Sequence, residues 1–140
     1  MPDNLKTTLT GYVSYRGLGH FAFLMHRLSG LATIAFLTLH ILTMSTVFFA
    51  PRWYDALNQM FSNPIIMAAE IIIAYFVVFH GVNGLRIAYI ELFKPALWQK
   101  APSLKAMTLV FVLAFVLWLP ALGIMGYQLL KYGLGFFGGE

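Results

Sequence analysis

The chain contains no cysteine. Disulfides and thiolate metal ligands are therefore excluded, and an iron–sulfur cluster cannot be held by this chain alone. Charge is nearly as scarce, since Asp, Glu, Lys and Arg make up 10% of the 140 residues, where a soluble domain carries about 25%. A surface so poor in charge does not suit water as the main solvent. Histidine is left as the obvious metal ligand. No internal repeat is present.

What the chain has in quantity is apolar length. It is 60% hydrophobic with a mean hydropathy of +0.78, and three apolar runs stand out: His20 to Phe49, Pro64 to Phe93 and Leu104 to Leu130. Each exceeds the roughly 20 residues that cross a bilayer core of about 30 Å at helical rise. This predicts an all-α fold, a bundle of three transmembrane helices at about 20–49, 64–93 and 104–131, forming one membrane-anchor domain over 1–140. A cleavable signal is not expected. The first run begins after about 20 mostly polar residues, is far longer than the apolar region of a signal, about 7 to 15 residues, and shows no small-residue cleavage site.

Basic residues set the expected orientation. If the helices alternate, Lys6, Arg16, Arg27, Arg86, Lys94, Lys100 and Lys105 fall on one side, against Arg52 and Lys131 on the other. The positive-inside rule puts the N-terminus and the Lys94 to Lys105 loop in the cytoplasm and the C-terminus outside, in a multi-pass protein of the cytoplasmic (inner) membrane. That asymmetry accounts for the net charge of +4, so nucleic-acid binding gains no support.

Loop chemistry fits the same layout. Ser62-Asn63-Pro64 offers a capping side chain just before a Pro suited to a first helical turn. The outer loop RWYDALNQMFS places Trp53, Tyr54, Leu57 and Phe61 for a short amphipathic interfacial helix. KPALWQKAPS, with two prolines and Trp98, reads as a headgroup-level connector. In the third run Pro120 predicts a kink, Gly123 and Gly126 permit close approach of a neighbour, and the tail GLGFFGGE reads as frayed.

Polar residues inside the spans are few, and an ionisable group in a membrane is costly enough to suggest function by default. The first helix carries His26 and Arg27 near its cytoplasmic end and His40 about 21 Å farther along. The second runs back with Glu70 towards the outside, His80 in the inner half and Arg86 at the inner end. With Arg27 and Arg86 level, His80 lies about 9 Å deep and Glu70 about 24 Å deep. His40 and Glu70 then share an outer layer, about 11 Å from the inner layer of His80.

One imidazole per layer suits haem iron, which takes neutral histidine axially and draws bis-histidine ligation from facing helices; a b-type haem also needs no cysteine. Gly84, one turn from His80, removes bulk where a macrocycle would approach, and His26, Arg27 and Arg86 could pair with haem propionates at the wet edge. Other readings stand beside this one. The histidines could instead hydrogen-bond a neighbouring helix. His20 could be an ordinary boundary residue, and Arg27, Arg86, Lys94 and Lys105 could be snorkelling anchors. Gly30 and Gly84 could serve packing alone, and Glu70 could be protonated within the bundle or could handle protons.

The paired motifs HRLSG (His26 to Gly30) and HGVNGLR (His80 to Arg86), on the first two helices of a three-helix chain, resemble the cytochrome b membrane-anchor subunit of succinate dehydrogenase. SYRG (Ser14 to Gly17) and Glu91 also resemble that family, over about Ser14 to Phe93. The resemblance implies that His80 is an axial ligand of haem b, with the second ligand commonly from a partner anchor subunit. It also implies that His26 and Arg27 lie at the haem propionates and the quinone site, with Ser29 of the same motif binding quinone beside Arg27. Many ubiquinone-type members carry Ser three residues before the first motif's His, where this chain has Phe23. His40 resembles the first-helix histidine of two-haem members, where it ligates a distal haem. Those relatives usually work with menaquinone, and some place an intramembrane Glu on the distal side, as Glu70 would be.

The resulting expectation is a haem b-binding anchor for the flavoprotein and iron–sulfur subunits of succinate:quinone oxidoreductase, sharing one or two haems with a second anchor subunit in the lipid bilayer. Electrons would reach quinone near His26 and Arg27. The chain alone would not oxidise succinate. Three alternatives come from the same residues: a fumarate reductase anchor, a haem-free quinone-binding scaffold, and an oligomeric transporter using Glu70 and the histidines as a proton relay.

Overall fold

The computed structural model describes residues 18–99 and 104–136. Lys6, Arg16, the SYRG stretch, Lys100, the side chain of Trp98 and the last four residues of the tail lie outside the described residues. Helix α1 runs Leu18–Phe49, α2 Pro51–Phe61, α3 Pro64–Phe93 and α4 Leu104–Gln128. Three helices are long and apolar enough to cross a membrane, and among the described residues there is no strand. The chain is an all-α, multi-pass membrane protein, with the short helix of the 52–62 loop present as α2.

Local chemistry explains the boundaries. Pro51 opens α2, and Pro64 opens α3 at a position where a missing N–H costs nothing. Asn63 caps α3, its Oδ1 accepting from the Ile65 N–H at 2.9 Å. Ser62 instead bonds back, its hydroxyl donating to the Asn58 carbonyl at 3.1 Å. The helix α3 stops at Lys94, whose N–H donates to the Ile90 carbonyl at 3.0 Å. A single 3₁₀ turn, Pro95–Gln99, follows. Along α4 the chain passes through Pro120, whose ring nitrogen cannot donate to the Val116 carbonyl. At its end α4 widens into a π turn, Leu129–Gly133, closed by the Leu134 N–H on the Leu129 carbonyl at 2.9 Å. Gly133 packs on the start of α3: a Cβ there would meet Leu129 Cδ1 of its own turn at 3.0 Å, and Met67 Sδ and Pro64 Cβ at 3.4 Å.

Helix α3 is central, packing along both α1 and α4. The α3–α4 seam holds Phe79, Val110 and Ala114, all buried. Phe79 stacks on Phe111 at 5.0 Å between centroids, and Phe111 on Phe21 at 5.7 Å. Farther out, Trp118 Nε1 donates to the Ile71 carbonyl at 3.0 Å, and its ring meets Tyr75 edge-on at 5.5 Å. In a bilayer, where apolar contact with lipid competes with apolar contact between helices, such a cross-helix hydrogen bond is a specific tie. Outward positions are also apolar, as lipid requires: Leu31 is 69% exposed and Ile124 64%. No other part of the described chain comes within 4 Å of a Cβ placed on Gly123 or Gly126, so the close approach those glycines permit is not used inside this chain.

Candidate functional site

The inner site forms where HRLSG on α1 meets HGVNGLR on α3. The imidazoles of His26 and His80 stack face to face, with centroids 4.2 Å apart and planes 4° from parallel. Gly30 makes room for this, because a Cβ there would lie 3.0 Å from His80 Cε1. Gly84 sits one turn along α3, and a Cβ on it would meet His26 Cε1 at an ordinary 3.8 Å. Each helix thus contributes one histidine, with a glycine of the opposite helix against its ring.

Hydrogen bonding fixes how His80 presents itself. Its Nδ1 lies 3.2 Å from the His26 carbonyl oxygen and 3.3 Å from Ser29 Oγ. The Ser29 hydroxyl donates to the same carbonyl at 3.0 Å. A carbonyl oxygen can only accept, so the proton of a neutral His80 belongs on Nδ1, and the lone pair is left on Nε2. That is the tautomer of a metal-ligating histidine held by a carbonyl behind it. His26 Nδ1 is buried and makes no hydrogen bond among the described residues.

The two arginines do not share one arrangement. Arg86 Nη1 donates to Asn83 Oδ1 at 3.1 Å, and Asn83 is itself 2% exposed. Arg27 is exposed and lies over the Phe23 ring, 4.5 Å from its centroid. Phe23 is therefore a shelf for Arg27. Asn83 stands out in the sequence as a polar residue near the inner end of the span, where its amide must be paired, but the sequence assigns it no role.

The outer site is a cavity of about 870 Å³ enclosed by α1, α2, α3 and the end of α4. His40 and Glu70 both line it, with Phe36, Tyr54, Asn58 and Gln128. The His40 ring stacks on Phe36 at 5.5 Å. Alanines 32, 35, 69 and 74 also line it and leave its walls low. Its volume lies in the range of pockets for small molecules and cofactors, about 300 to 1,000 Å³. Tyr54 and Asn58 reach it from the amphipathic helix α2, and sequence reasoning assigned neither to a site.

Among the described residues, no three His, Asp or Glu side chains converge as ligands of a bare cation. The pattern is instead a stacked pair of histidines at the inner site, with His80 Nδ1 against a carbonyl, and one exposed histidine on a roomy outer cavity. An iron already held by a macrocycle asks that much of a protein, with its remaining axial bond open to another chain.

Comparison with known proteins adds an independent line. Residues 6–121 match the family described as the succinate dehydrogenase/fumarate reductase transmembrane subunit. The chain is also 28% identical over 124 residues to the succinate dehydrogenase 2 membrane subunit SdhC of Mycobacterium tuberculosis, covering 84% of this chain and 85% of that protein.

Proposed function

The chain belongs to the succinate dehydrogenase/fumarate reductase transmembrane subunit family, and from that premise we propose that it is the haem b-binding anchor of a succinate:quinone oxidoreductase in the cytoplasmic membrane. Its partners are the flavoprotein and iron–sulfur subunits on the cytoplasmic face and a second anchor subunit within the bilayer. The single observation that carries the haem reading is the placement of His80 Nδ1 3.2 Å from the His26 carbonyl oxygen, which favours the tautomer with its lone pair on Nε2.

When bound, a b-type haem supplies a one-electron carrier between the iron–sulfur subunit and quinone. The rest is work for the side chains. His80 holds iron through Nε2. His26, through its orphaned Nδ1, and Arg86 at the inner end receive the propionates. Arg27, exposed on its Phe23 shelf, is free to swing to a quinone oxygen. In the outer layer His40 is the ligand of a second haem, and Glu70 on the same cavity handles the proton of quinone chemistry. The size of the outer cavity and its small-residue walls favour the two-haem form, and the resemblance to two-haem relatives pairs that form with menaquinone.

Purification of the native complex through a tag on this chain tests the proposal. A flavoprotein and an iron–sulfur protein are expected to copurify, with a b-type band in the reduced-minus-oxidised spectrum. Absence of the flavoprotein would sink the anchor role, and absence of any b-type band would sink the haem reading.

A further inference from the structure

The Ser of the first motif has no room to meet a substrate. Ser29 is 0% exposed, and both functions of its hydroxyl are in use: it donates to the His26 carbonyl at 3.0 Å and faces His80 Nδ1 at 3.3 Å. Because Nδ1 carries the proton, Ser29 Oγ is an acceptor for it, alongside the His26 carbonyl at 3.2 Å. One N–H is therefore shared between two oxygens from neighbouring turns of α1. This restrains rotation of the imidazole in a way a single acceptor would not. The stacked ring of His26, 4.2 Å away, and the cleared space over Gly30 restrain it from the faces.

We infer that Ser29 is a positioning residue for His80: it orients the imidazole that ligates haem and tunes that haem's potential, and it does not contact quinone. The inference rests on the reading of His80 as an iron ligand. Two acceptors on Nδ1–H raise the electron density of the imidazole, which favours ferric over ferrous iron. Removing one lowers that density, so the ferric form is less favoured and the midpoint potential rises. Outer partners of metal-bound histidines typically change metal affinity by about 10- to 100-fold when lost. Ser29 is one of two acceptors, so the lower end of that range applies.

The experiment uses the intact complex in four forms, wild type, Ser29→Ala, Ser29→Cys and His80→Ala. Haem per flavin, haem retention against an excess of a haem-accepting apoprotein, the potentiometric midpoint, the ferric resonance spectrum and the KM for a short-chain quinone are measured for each. In Ser29→Ala the midpoint is expected to move upwards, haem retention to fall about tenfold, and the ferric g-values to shift, with the quinone KM unchanged. Ser29→Cys, which keeps the volume with a weaker acceptor, is expected to fall between the two and covers the case in which the alanine variant fails to assemble. If Ser29→Ala matches wild type in midpoint, retention and g-values, Ser29 does not position the ligand. A raised quinone KM with unaltered haem properties would assign it to quinone instead. Wild-type haem per flavin in His80→Ala would overturn the underlying ligand assignment, an outcome distinct from either.

Discussion

The imidazole rings of His26 and His80 lie 4.2 Å apart and within 4° of parallel. The contact joins residues 54 positions apart, and it turns two motifs on separate helices into one site. The stack orients His80 from one face, while the His26 carbonyl and Ser29 hold its Nδ1 and leave Nε2 for a ligand. From this geometry follow predictions that separate packing from cofactor chemistry.

Gly30 is the most constrained position of the first motif. A Cβ there would lie 3.0 Å from His80 Cε1 and 3.4 Å from its Nδ1. Gly30→Ala is expected to push the ring off its two acceptors at an overpacking cost of about 1 to 3 kcal/mol. The measurement is haem per flavin in the assembled complex. A marked fall is expected, whereas Gly84→Ala, whose Cβ would meet His26 at an ordinary 3.8 Å, is expected to leave the His26–His80 stack in place.

Under the proposed function, His40 is the residue on which a second haem depends. It is exposed on the outer cavity, with Phe36 stacked against it. His40→Ala is expected to halve the haem bound per flavin, losing the outer one and sparing the inner. Equal haem in wild type and variant would make His40 structural.

Trp118 ties α4 to α3 by donating to the Ile71 carbonyl at 3.0 Å. Trp118→Phe keeps most of the ring and removes that bond. A loss of about 0.5 to 2 kcal/mol is expected, the range for cross-helix hydrogen bonds in membranes, read as a lower unfolding midpoint in detergent. The haem spectrum is expected to stay as in wild type, because Trp118 belongs to the α3–α4 seam rather than to the α1–α3 site.

Basic side chains predict orientation. A tag after Glu140 is expected to react with an impermeant reagent only from outside the cell, and labelling from the cytoplasmic side would reverse the topology.

Much of this architecture is legible in the sequence because length and apolarity are one-dimensional. His20 to Phe49 and Pro64 to Phe93 announce their helices, and the Pro and Asn before Ile65 announce where the second begins. Depth is legible too: helical rise alone places His40 and Glu70 in one layer, and both line one cavity. Facing is not. The spans are apolar on all sides, so no polar stripe says which edge of α1 meets α3, and the His26–His80 stack cannot be read from spacing. For the same reason Arg27 and Arg86 look equivalent in the sequence, yet one rests on Phe23 and the other on the buried Asn83. The π turn at Leu129–Gly133 was also hidden, since it depends on what Gly133 packs against, Met67 and Pro64, rather than on local propensity.

His80 as a haem ligand is tested most directly by haem per flavin and the reduced-minus-oxidised spectrum of the purified complex carrying His80→Ala, beside wild type. The variant is expected to assemble with its flavoprotein but to lack the inner b-type signal, because the imidazole held by the His26 carbonyl is gone. The same haem per flavin and the same spectrum in both proteins would rule out His80 as that ligand.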